Sequence, residues 1–142
     1  MTNDILELLD EAIEKELAAS IQFMWQYVIV ERMENRDLKD TFRDHALDSM
    51  KRAMKIGERL FRLGGDLTTT PAQINIGGTL REMIELDLKS VNEAMKTYHK
   101  IIDIAAKEKD TLTFSMCEEV LAEVKEQKNI LMCAHGRATR KI

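Results

Sequence analysis

Four polar residues stand where a helical core should be apolar: Glu16, Ser49, Arg52 and Gln127. Each falls in a run of residues spaced by three and four, the spacing that lines one buried face of a helix. A carboxylate in such a place binds a cation or needs a cationic partner, and a guanidinium can supply that partner through two parallel hydrogen bonds. The second set of candidates is soft and apolar. Leu47, Met50, Met54, Gly57 and Phe61 form one extra stripe, and Leu17, Ile21, Met24 and Val28 form another. Two such stripes on adjacent helices leave a large apolar patch on a monomer, which marks an interface and predicts a two-fold homodimer. Gly57 fits a close approach there, since a mid-helix glycine costs about 1 kcal/mol relative to alanine. Asp44, His45 and Asp48 share one helical turn and could hold a loose cation, although solvated charges of this kind are the commoner case. Glu119, Glu123 and Glu126 form an acidic strip that could line a cavity or simply face water, and His99 and His135 have no evident partners.

These residues need elements to position them. Four of the six glycines and the only proline lie between Gly64 and Gly78, so that stretch is the one long loop. Before it, the pattern predicts a helix from about Asp4 to Glu34 and another from about Asp37 to Leu63, ended by Gly64 and Gly65. After it, Thr79 with Glu82 forms a capping box for a third helix reaching about Lys107. Asp110 caps a fourth that runs to about Cys133. The core stripes are Leu6, Leu9, Ile13, Glu16, Ser20, Phe23, Tyr27 and Val30, then Phe42, His45, Ser49, Arg52, Ile56, Leu60 and Leu63. The later pair offers Ile84, Asp87, Val91, Ala94, Tyr98, Ile101 and Ala105, then Phe114, Cys117, Leu121, Val124, Gln127, Leu131 and Ala134. No segment alternates with a period of two. The expectation is all-α: a single domain over 1–142, built as a four-helix bundle with a long crossover between helices two and three.

Composition narrows the partners. The 142-residue chain is 44% hydrophobic and 32% charged with a net charge of −4, ordinary values for a soluble helical domain. No basic stripe points to nucleic acid. The most apolar run, Ile21 to Val30, carries Gln22 and Gln26 and falls short of the roughly 20 apolar residues a bilayer requires, so no membrane span is expected. The acidic start lacks the features of a secretion signal, which predicts a cytoplasmic protein. On one helix Cys117 and Cys133 would lie about 24 Å apart, excluding an internal disulfide and predicting reduced, buried thiols. The basic tail with Arg137, Arg140 and Lys141 is expected to fray.

The chain resembles bacterioferritin, of the ferritin-like superfamily, across nearly its whole length. The likeness rests on Glu16-Leu17, then Asp48, Met50, Lys51 and Ala53, then Leu63-Gly64, the run Ile74-Asn75-Ile76-Gly77, and Asp87-Leu88. It implies a bundle that holds two irons through one glutamate on each of two helices and a Glu-x-x-His pair on each of the others. At those positions stand Glu16, Ser49, Arg52, Val91, Val124 and Gln127, and no Glu-x-x-His occurs anywhere in the chain. No di-iron centre and no ferroxidase activity are therefore expected, and an Arg52–Glu16 pair is expected in their place. The resemblance also implies a heme on the dimer two-fold, with Met50 as axial ligand and Leu17, Ile21, Met24, Leu47, Ala53, Met54 and Gly57 as an apolar wall. A thioether suits that iron. Iron or heme storage or electron transfer follows, alone or beside a ferroxidase-competent subunit; the alternative is a cofactor-free shell or scaffold subunit. The family's short fifth helix is not expected here, which leaves a dimer or smaller shell as open as the full cage.

Overall fold

The computed structural model describes residues 3–33 and 38–140. Four helices follow in order: α1 Asn3–Val30, α2 Lys39–Arg62, α3 Leu80–Lys107 and α4 Thr111–Arg140. α1 packs along α2 and α3 along α4, and α1 against α3 joins the two pairs. The core is continuous, from Ile5, Leu9 and Phe23 through Phe42, Ile56 and Leu60 to Ile84, Ile101, Leu121 and Leu131.

Local chemistry sets most boundaries. Thr79 accepts from the Glu82 amide while the Glu82 side chain returns to the Thr79 amide, the expected capping box. Asp110 accepts from the Thr113 amide at 3.1 Å, capping α4. α2 ends in a Schellman turn: Gly65 N–H donates to the Leu60 carbonyl at 3.0 Å, and Gly64 takes φ +86°, a conformation that favours glycine. The expected ends Glu34 and Asp37 lie outside the described residues, and α1 itself closes at Val30.

Other expectations need correction. α4 continues past Cys133 to Arg140, so the tail expected to fray is helical through that residue. Leu6, Ser20, Tyr27, Leu63, Ala94 and Phe114 are only half-buried, whereas Ile5, Ala12, Gln22 and Gln26 are buried. α1 is covered by both α2 and α3, so more than one of its faces is dry. Cys117 is buried, its thiol pushed up to about 12 by burial and the nearby Asp110 charge, but Cys133 is exposed; both are free. No described helix is long and apolar enough to cross a membrane.

The crossover is docked along α1. The Ala72 amide donates to the Glu14 carbonyl at 2.9 Å, the Asn75 amide to Gln22 Oε1 at 3.0 Å, and Gln26 Nε2 to the Ile76 carbonyl at 2.9 Å.

Candidate functional site

The four polar core residues meet at mid-bundle. Arg52 Nε donates to Glu16 Oε2 at 3.0 Å, and Arg52 Nη2 donates to Gln127 Oε1 at 2.7 Å and to Ser49 Oγ at 3.2 Å. Arg52 is 4% exposed and Glu16 2%. The pair is not the two-pronged one expected, because only one nitrogen reaches the carboxylate. The other guanidinium donors turn to Gln127 and Ser49, and Nη1 faces Glu123 at 3.9 Å.

Tyr98 is the member that sequence reasoning missed. Its hydroxyl donates to Glu16 Oε2, the oxygen that Arg52 also holds. A tyrosine on the third-helix stripe was the available signal, since a buried hydroxyl must find an acceptor. Burial drives the Glu16 carboxyl above its ordinary range, against the Arg52 charge and the hydrogen bonds from Tyr98 and Arg52. Arg52 is itself held up, burial opposing and the Glu16 charge and hydrogen bond prevailing. One oxygen accepting two donors is the arrangement of an anion, so the ionised carboxylate is the form the geometry favours. Tyr98 is kept protonated, first by burial and then by the Glu16 charge.

Val91 and Val124 lie at the same level and, with Glu16, Arg52, Ala94 and Gln127, line a cavity of about 20 Å³. That volume suits a single water. The polar side chains around it are one carboxylate, Glu16, two cations, Arg52 and Lys15, one hydroxyl, Ser90, and one amide, Gln127.

The outer face of α1 and α2 carries an apolar groove of about 430 Å³. Leu17, Met50, Ala53, Met54 and Gly57 line it, joined by Ile13, Phe61 and, from the crossover, Leu67 and Thr68. Met50 is 45% exposed within it. Ile21, Met24 and Leu47 are not among the lining residues; Ile21 is half-buried and the other two lie exposed elsewhere. Gly57 faces Leu67 of its own chain at ordinary van der Waals distance, 3.4 Å from where a Cβ would sit. The role of Leu67 was invisible in sequence, because nothing in the periodicity says where a loop lies.

The Asp44, His45 and Asp48 trio divides by burial. Asp44 and Asp48 are exposed, while His45 is buried edge-on against Phe23, with ring centroids 5.2 Å apart. Burial lowers its pKa to about 4, against the Asp48 charge. With Glu123 and Glu126 the trio lines an open groove between α2 and α4. Among the described residues no three His, Cys, Asp or Glu converge closely enough to hold a metal ion. Glu119 pairs with Lys55 at 3.0 Å. His135 does have a partner, Glu85 Oε1 at 3.1 Å, whereas His99 is exposed.

A ferritin-like domain family matches residues 6–135. Bacterioferritin of Mycolicibacterium paratuberculosis is 28% identical over 128 residues, spanning 89% of this chain and 79% of its own. That of Desulfovibrio desulfuricans is 25% identical over 120 residues, spanning 84% and 67%. Among solved structures, Rhodobacter capsulatus bacterioferritin superposes with a TM-score of 0.93 at 23% identity, over 99% of this chain and 88% of that one. Mycobacterium tuberculosis bacterioferritin BfrA gives 0.92 at 24%, over 99% and 89%. At these identities the structural likeness speaks for the fold. The chain belongs to the ferritin-like family and, within it, is similar to the bacterioferritins.

Proposed function

We propose that this chain is a bacterioferritin-like subunit whose di-iron centre has been replaced by an internal ion pair and whose remaining cofactor site is a heme site at a two-fold dimer interface. The observation that carries the reading is Arg52 at mid-bundle, hydrogen-bonded to Glu16, Gln127 and Ser49. Two iron ions need several anionic oxygens and imidazoles converging at one level. Here one carboxylate faces a fixed positive charge beside a cavity of about 20 Å³. The donor set does not fit the metal pair, and the subunit alone does not oxidise iron.

The groove around Met50 does fit a heme. Met50 brings a partly exposed thioether, and Leu17, Ala53, Met54 and Gly57 form an apolar wall. A soft sulfur on each side of a two-fold can ligate the iron, and burial tunes its potential for electron transfer. The Rhodobacter capsulatus bacterioferritin structure has heme iron in a crystallographic special position, which supports the heme half of the reading by analogy. Leu47, Met24 and Val28, exposed beyond the groove, supply the apolar surface that a second copy would cover.

An absorbance spectrum of the purified oligomer, repeated after reconstitution with hemin, tests this. The expected result is a Soret band that Met50→Leu shifts or abolishes. If no heme is retained even after reconstitution, the chain is instead a cofactor-free shell or scaffold subunit, serving beside a ferroxidase-competent partner. Rapid oxidation of ferrous iron by the wild-type chain alone would overturn both.

A further inference from the structure

A second buried carboxyl lies away from the Arg52 cluster, with no counter-charge. Asp87 on α3 is 0% exposed. Its Oδ1 accepts from Gln22 Nε2 at 2.7 Å, and Gln26 also lies within hydrogen-bonding range of the carboxyl. Two buried oxygens in this cluster, Asp87 Oδ2 and Gln26 Oε1, have no hydrogen-bond partner. Both are acceptors, so neither can satisfy the other. A proton on Asp87 Oδ2 turns that oxygen from an acceptor into a donor, the form in which it can pair with an acceptor such as Gln26 Oε1. The same two glutamines hold the crossover. Gln22 Oε1 takes the Asn75 amide and Gln26 Nε2 gives to the Ile76 carbonyl.

We infer that Asp87 is a protonated latch: as a neutral acid it closes the Gln22–Gln26 cluster and pins the crossover segment around Asn75 and Ile76 to α1, and loss of its proton loosens that segment. Among the described residues no cation pairs with it. From α1 come the Gln22 and Gln26 amides, and from the crossover the Asn75 amide and Ile76 carbonyl that those glutamines hold. Along α3 the neighbours one turn away are Met83, Ile84 and Val91, buried and apolar, and Ser90, half-buried. The titratable residues nearby on α3, Glu85 and Lys89, are exposed, and from α4 His135 meets Glu85 at the surface. Burial pushes Asp87 up to about 7, the hydrogen bonds from Gln22 and Gln26 pulling the other way. In the open segment the carboxyl meets water and returns to its ordinary range near 3.8. Opening is therefore coupled to proton release between those two values and becomes indifferent to pH above the upper one. The latch also bears on the apolar groove, since Leu67 and Thr68 reach it from the same crossover. Its test needs no heme.

Hydrogen–deuterium exchange of the intact oligomer between pH 5 and 8, corrected for intrinsic chemistry, reads the latch directly. In the wild type, protection of the segment 68–78 should fall about tenfold per pH unit from pH 5 to about 7 and then level off, while α2 stays unchanged. Asp87→Asn carries a permanent donor and should hold protection flat across the range. Equal pH dependence in wild type and variant, or none in the wild type, overturns the inference. Should the variant not fold, the carbon-13 titration of the wild-type Asp87 carboxyl decides: a midpoint near 7 supports the latch, and one below about 5, near the ordinary range of a carboxyl, overturns it.

Discussion

The bundle buries two carboxyls in two ways. Glu16 is held by a cation and a hydroxyl on one oxygen, whereas Asp87 is held by amides with no cation at all. A dry carboxyl must be neutralised, and the first site uses a fixed counter-charge where the second needs a proton. Position in the fold accounts for the choice. Mid-bundle, α2 can extend a long arginine stem along the core to reach α1. Beside the crossover, the residues that meet Asp87 must also serve a backbone strand, and glutamine amides can donate and accept at once.

The difference gives a graded set of expectations. Arg52→Leu should have the largest effect, stranding Glu16 and costing about 3–5 kcal/mol in urea unfolding. A loss below about 1 kcal/mol, the size of an exposed pair, would mean that Glu16 is solvated. Adding Glu16→Leu to that variant should recover most of the loss, because no buried charge then remains. Asp87→Asn should act in the opposite direction and only over part of the pH range. The folded-state value of Asp87 lies above its unfolded one, so its contribution is fully present below about pH 3.8 and is lost as pH rises to about 7. The variant escapes that loss, and its advantage should open by at most about 1.4 kcal/mol per pH unit across that window, then stay constant. Parallel stability curves for the two proteins would mean that Asp87 is ionised in the folded chain. Tyr98→Phe removes one donor from Glu16 while leaving Arg52, and should cost about 1–2 kcal/mol by thermal unfolding. The smallest effect belongs to Gly57→Ala. A Cβ there makes only ordinary contact with Leu67 and Ile13, so the gain in helix propensity should stabilise the fold by about 0.5–1 kcal/mol. A lower Tm instead would mean that a second copy approaches this glycine closely.

Much of this is legible in the sequence. Helical spacing placed Glu16, Ser49, Arg52 and Gln127 on buried faces, and the structure brings all four together. The geometry of the pair was not legible, because a shared guanidinium depends on where Gln127 and Ser49 stand around it. Gln22 and Gln26 lie one turn apart within the most apolar stretch of α1, and Asp87 interrupts an apolar stripe on α3. Those polar intrusions were the signal for the second cluster. Their meeting depends on the offset between α1 and α3 and on the path of the crossover, which helical periodicity does not encode. The same limit explains Leu67, a loop residue that lines the Met50 groove, and the burial of His45 beside the exposed Asp44 and Asp48.

Anomalous diffraction at the iron edge, from crystals grown with ferrous salt, tests the central claim that Arg52 has taken the place of the metal pair. The account predicts no iron between the four helices and an Arg52 guanidinium lying on Glu16. Two anomalous peaks about 3.5–4 Å apart in the bundle core, with Arg52 displaced, would contradict it.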